Sequence, residues 1–213
     1  MKLPLVVRAP DAARRGIASD AMISWTDFTP TLLDFAGVKQ VLAPPLLVGE
    51  RGDDAPPERT KKAQPPVPYE FHGRSFRATL DGEKHEGWDE VYASHTFHEV
   101  TMYYPMRAIR TGRYKLILNL AHELPFPFAS DLYESATWQS VKDSGGSRYG
   151  RRLLSDFIHR PRYELYDLEK DPDEAVNVAS DPAYRAAFDE LSAKLKAFQT
   201  RTRDPWVSKY LHE

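Results

Sequence analysis

The chain has 213 residues, 41% apolar and 28% charged, enough hydrophobic material to bury a core in one or two small domains and too much for a wholly disordered polypeptide. Lys and Arg total 29 against 31 Asp and Glu, a net charge of -2, which excludes the broadly basic footprint of a dedicated nucleic-acid binder and leaves anion recognition to local clusters. Cys is absent, which excludes disulfide scaffolds, thiolate metal sites and cysteine nucleophiles in this chain, and no run approaches the ~20 apolar residues of a membrane-spanning helix.

Leu3 to Val7 is a nearly continuous apolar run ended by Arg8-Ala9-Pro10-Asp11, which predicts a short buried strand leaving a sheet. Met1 stands directly against it, with no lead-in, so the natural polypeptide is expected to begin further upstream. Thr29-Pro30 predicts a helix start, with Thr as N-cap and Pro at the first helical position; Leu32, Leu33 and Phe35 give it apolar contacts and Gly37 stops it. From Leu42 to Pro68 the text turns to Pro44-Pro45, Gly49, Gly52, Pro56-Pro57, Lys61-Lys62 and Pro65-Pro66, the composition of a surface insertion or linker. Glu90 to Ser94 reads as a strand, followed by a loop that bears polar chemistry. Met106 to Arg110 and Tyr114 to Leu118 are β-rich runs at hairpin spacing about Thr111-Gly112-Arg113, with Gly available for a positive φ. Residues 121 to 162 read as irregular, with a short helix around Arg152 to Ile158. Glu164 to Asp167 is a last strand, and Asp181-Pro182 caps a final helix whose Tyr184, Phe188, Leu191, Leu195 and Phe198 form one stripe for packing on the sheet.

The densest polar cluster is His95-Thr96-Phe97-His98-Glu99. Two imidazoles and a carboxylate suit substrate contact, structural hydrogen bonding or a zinc site; the spacing is H-x-x-H-E, not the H-E-x-x-H that sets two His on one helix face. A second cluster, Arg148, Arg151, Arg152, His159, Arg160 and Arg162 with Asp156 among them, is a polyanion contact or a solvated face paired with acidic neighbours. Met102-Tyr103-Tyr104-Pro105-Met106 is core or a sugar-stacking surface, and Trp138 and Trp206 pin loops. Asp171-Pro172-Asp173-Glu174 is turn chemistry before it is a calcium site. No G-x-S-x-G, P-loop or dinucleotide fingerprint occurs.

Taken in order, these segments resemble the C-terminal part of the sulfatases. Leu3-Pro4-Leu5-Val6-Val7 with Asp27-Phe28-Thr29-Pro30-Thr31-Leu32-Leu33-Asp34 resembles a strand and helix general to the superfamily. His98-Glu99-Val100-Thr101-Met102, Tyr104-Pro105-Met106-Arg107, Pro125-Phe126-Pro127 and Asp204-Pro205-Trp206-Val207 resemble the N-sulfoglucosamine sulfohydrolase (heparan sulfamidase) branch. Glu164-Leu165-Tyr166-Asp167, with Asp171-Pro172, Glu174 and Asn177, resembles a tail motif of many sulfatases.

The resemblance implies the C-terminal portion of an alkaline-phosphatase-like α/β fold: residues 1-40 as the closing strand and helix of a large sheet, 41-68 as a Pro-rich insertion, and 69-213 as a C-terminal subdomain whose small antiparallel sheet is covered by the last helix. In that family a Cys or Ser within C/S-x-P-x-R, converted to formylglycine, attacks sulfur with the help of calcium held by acidic pairs. This chain holds no such motif, so the resemblance assigns it no catalytic residue, metal ligand or cofactor; calcium and formylglycine are expected in a full-length parent. It places the loop at His98 and Glu99 near the sugar-binding side of the pocket, with Phe97 standing where a His is often seen; together with His95 of the same polar cluster, these are the residues expected to bind substrate. The partners it implies are a sulfated glycan and a missing N-terminal catalytic half or a homo-oligomer partner, with neither nucleic acid nor membrane; a periplasmic, secreted or lysosomal parent is expected, and the isolated chain is expected to be inactive. Two rival expectations are a stand-alone glycan-binding or interaction module using His98, Glu99 and the Arg148 to Arg162 cluster, and a His-based metal hydrolase at His95, His98 and Glu99.

Overall fold

A computed structural model describes residues 3–9, 14–43, 67–82, 85–98 and 102–208. The chain divides into two compact units, Met1–Lys84 and His85–Glu213. Most of the Pro-rich stretch expected as an insertion, residues 44–66, lies outside the described residues.

In the first unit a 3-10 turn, Trp25–Asp27, runs directly into helix α1, Phe28–Phe35. The start signal is a capping box five residues ahead of the expected Thr29: Ser24 Oγ accepts the Thr26 N–H, and the Asp27 carboxylate accepts the Ser24 N–H at 2.8 Å. Pro30 is tolerated because its missing N–H falls in the first turn, where no intrahelical acceptor waits. The end is where the sequence placed it. Gly37 sits at φ +71° and donates to the Asp34 carbonyl at 3.0 Å, while the Val38 N–H reaches Leu33 O at 2.9 Å, a left-handed cap that closes the last carbonyls. Residues 73 to 76 are laced to the start of this helix. Arg74 N–H donates to Asp27 Oδ1 at 2.9 Å and Phe76 N–H to Thr31 Oγ1 at 3.0 Å, an approach so close that a Cβ on Gly73 would lie 2.3 Å from Thr26 O.

Leu3 to Val7, expected as a buried strand, is not one. These residues carry no ladder, and Leu3 and Val6 are 59% and 91% exposed. A strand needs a neighbour for its N–H and C=O groups, and no described residue supplies one: β1 (Leu42–Ala43) pairs with β2 (Val67–Pro68) instead.

The second unit is built on a four-stranded antiparallel sheet in the order β3 (Glu90–His98), β4 (Met102–Thr111), β5 (Tyr114–Asn119) and β8 (Tyr163–Asp167). The period of two sends alternate residues to opposite faces. On one face Ile109, Leu116, Leu118 and Leu165 meet Leu191 and Leu195 of helix α5, Arg185–Arg201, and Tyr92 stacks on Phe198 with ring centroids 4.0 Å apart. The expected helical stripe is therefore the one that packs. The turn between β4 and β5 differs from expectation in that Gly112 does not use a positive φ; Thr111 holds it, its Oγ1 accepting the Tyr114 N–H at 3.0 Å.

Residues 121 to 162, expected as irregular with one helix, contain α2 (Ser130–Glu134), α3 (Ala136–Asp143), a small ribbon of β6 (Arg148–Tyr149) and β7 (Arg152–Leu153), and α4 (Leu154–Ile158). Their elements are too short to show periodicity. What orders them is an aromatic cluster: Trp138, 6% exposed, lies 4.2 Å from Phe128 and 5.6 Å from Tyr149 between ring centroids, and Phe157 closes the group. No helix among the described residues is long and apolar enough to cross a membrane.

Candidate functional site

Strand β3 runs through His95 and His98, so the expected loop after Ser94 is strand instead. The register explains its shape. His95 faces Met106, yet Phe97 faces Tyr103, so β4 carries one extra residue opposite Thr96. Pro105 sits there, as expected of a residue with no N–H to give a ladder. The carbonyls freed by the bulge find other partners: Pro105 O accepts the Leu120 N–H at 3.0 Å, and Tyr104 O lies 3.0 Å from His95 Nδ1.

The bulge is fixed from the other face by Arg107. Its fork grips Asp204, Nε to Oδ2 at 2.5 Å and Nη2 to Oδ1 at 3.0 Å, while Nη1 donates to His95 O at 3.0 Å and Met106 O at 2.8 Å. Both side chains are buried, at 8% and 9% exposure. Asp204 also accepts from Gln199 Nε2 at 3.1 Å and the Trp206 N–H at 3.1 Å, and the guanidinium lies 5.0 Å from the Trp206 ring centroid. Burial pushes the Asp204 carboxyl up, but the Arg107 fork, the Trp206 N–H and Gln199 outweigh it and hold it below its ordinary range.

Alternation along β3 separates the two candidate histidines. Glu90 pairs with Lys194 and Tyr92 stacks on Phe198, both on α5, so even-numbered residues through His98 belong to the helix face. Odd-numbered ones, His95 and Phe97, belong to the opposite face. There Phe97 is 68% exposed, and its cross-strand neighbour Tyr103 is 37% exposed. Glu99 lies outside the described residues. The structure thus joins His95 with Phe97 rather than with His98.

Glu164, 3% exposed, is a second node on the face of His95. It accepts from Asn119 Nδ2 at 2.7 Å and from the Tyr166 hydroxyl, with Arg152 and Arg160 at 3.8 and 3.9 Å. Burial, opposed by Glu164, lowers Arg160. Tyr104, fully buried with its hydroxyl unpaired among the described residues, is pushed up to about 12 by burial. The arginine cluster is mostly internal business: Arg151 pairs with Asp173, Arg148 Nη1 donates to Arg151 O, and Arg160 lies 3.8 Å from the Phe126 ring centroid.

Asp171 to Glu174 form the expected turn, Asp171 Oδ2 accepting the Val176 N–H at 2.8 Å and Glu174 pairing with Lys115 at 2.5 Å. Among the described residues no three His, Cys, Asp or Glu converge on a metal-sized site.

No protein-family model matches the chain. Human N-sulphoglucosamine sulphohydrolase is 33% identical over 208 residues, 96% of this chain and 38% of that protein. An ulvan-active sulfatase of Formosa agariphila is 27% identical over 201 residues, 90% of this chain and 31% of the relative. A solved structure of a protein with its substrate, D-glucosamine-2-N,6-O-disulfate, covers 92% of this chain and 28% of its own with a TM-score of 0.54 and 22% identity. The likeness is one of fold, a mixed α/β arrangement in which a small antiparallel sheet is covered by the terminal helix. Along nearly its whole length the chain is similar to the C-terminal part of sulfatases that include the human N-sulphoglucosamine sulphohydrolase, and it spans less than two fifths of the length of these curated relatives.

Proposed function

We propose that the chain is the substrate-side portion of a sulfatase that hydrolyses sulfate esters or N-sulfate groups of glycans, with heparan-type glucosamine as the sugar. The match to N-sulphoglucosamine sulphohydrolase along 96% of the chain is the observation that supports it most. Sulfate hydrolysis requires an activated nucleophile and stabilisation of charge on the sulfonyl oxygens. His95, His98 and Glu99 supply neither, but they can hydrogen-bond sugar hydroxyls and orient the scissile bond. On opposite faces of β3, His95 and His98 would meet different groups. The nucleophile, as formylglycine, and the calcium belong on this reading to an N-terminal half, a covalent or separate partner of these residues.

The test is sulfate release from a chromogenic sulfate ester and from N-sulfoglucosamine. The purified 213-residue chain is expected to release none, and the same residues fused behind the N-terminal part of a sulfatase relative are expected to restore turnover. Release by the chain alone, or a fusion that folds and binds calcium yet stays inert, overturns the proposal.

A further inference from the structure

We infer that His95 is locked as a single tautomer that presents Nε2 as a hydrogen-bond acceptor to a sugar hydroxyl, and that Arg107 is the positioning residue that fixes it. The inference rests on the reading of this chain as the substrate side of a glycan hydrolase. A carbonyl oxygen has no proton to give, so the 3.0 Å contact between Tyr104 O and His95 Nδ1 puts the proton on Nδ1. A neutral imidazole then carries its lone pair on Nε2.

The Tyr104 carbonyl is available because the bulge at Pro105 takes it out of the β3–β4 register. The main chain of His95 is held as well, since Arg107 Nη1 donates to His95 O at 3.0 Å while Asp204 holds the rest of the fork. Ring and backbone of one residue are thus anchored from two directions, an arrangement that presets an acceptor and is not needed to fill space. Phe97, two residues on and on the same face, is 68% exposed. An acceptor beside an open aromatic ring suits a pyranose, which offers hydroxyl donors at its rim and an apolar C–H face to the ring.

Long-range proton–nitrogen NMR on the full 213-residue chain tests the tautomer directly. Nδ1 of His95 is expected at the protonated-type shift and Nε2 at the lone-pair type; the reverse order, or an averaged pair of shifts, overturns the inference whatever the chain binds. Arg107→Lys, which keeps the charge and loses the fork, is expected to average the two shifts, and if that variant does not fold the wild-type spectrum still decides.

N-sulfoglucosamine is the probe for the role. It is expected to move the Nε2 resonance, and His95→Asn, which can still donate to Tyr104 O but has no acceptor at the Nε2 position, should bind it about tenfold more weakly at unchanged melting temperature. Binding that shifts other residues and leaves Nε2 unmoved sinks the role given to His95 alone. No response anywhere in the chain sinks the substrate-side reading on which it rests.

Discussion

Arg107 and Asp204 are worth most where they are least replaceable. Two ions at under a tenth exposure are tolerable because Arg107 makes four N–H donations and each Asp204 oxygen accepts two hydrogen bonds. Removing one charge strands the other, so Asp204→Asn is expected to cost about 3–5 kcal/mol in urea denaturation. The pair also sets a pH dependence. With the folded carboxyl held below its ordinary value of 3.8, the unfolded chain takes up its proton first as pH falls. Its contribution is full above that value and is lost as pH drops through the lower folded one. Acid titration of stability should show this loss below about pH 4 in the wild type and not in Asp204→Asn; an identical acid limb in both chains would refute it.

Helix α5 shows what a single element contributes. Leu191 and Leu195, at 2% and 3% exposure, insert its apolar stripe against Ile109, Leu116 and Leu165, so Leu191→Ala should cost about 2–5 kcal/mol, whereas truncating exposed Lys196 should stay within about 0.5 kcal/mol. Chemical denaturation of the two variants decides. This stripe was legible in the sequence because its period of 3.6 survives over many residues, as was the β4–β5 hairpin from its two β-rich runs. The run Leu3 to Val7 misled because local hydrophobicity says that a segment wants burial, not that a neighbour is present. The arrangement of the histidines was not legible in the same way. H-x-x-H-E sets them close in sequence, but a strand period of two divides His95 from His98, and the strand runs on past Ser94 across a bulge whose sequence trace is Pro105. Arg107 and Asp204 each lay in a quoted motif, yet nothing local says that two motifs so far apart close on one another.

The two units differ in what keeps them folded. The buried apolar cluster lies wholly within His85–Glu213, while in Met1–Lys84 Phe76 is the one large apolar side chain that is fully buried among the described residues, against exposed Trp25, Leu32 and Phe35. Hydrogen exchange should therefore show its slowest amides in β4, β5, β8 and α5, with the amides of α1 opening orders of magnitude faster; slow exchange in α1 equal to that of β5 would show a single cooperative body instead. The clasp between Arg107 and Asp204 also joins positions 97 residues apart, which has a consequence for synthesis. Neighbouring strands β3, β4 and β5 can pair as soon as they leave the ribosome, because their contacts are local. The strand end that bears His95 cannot take its final form until Asp204 has been made, so a product halted a few residues short would carry a finished sheet and an unfinished site.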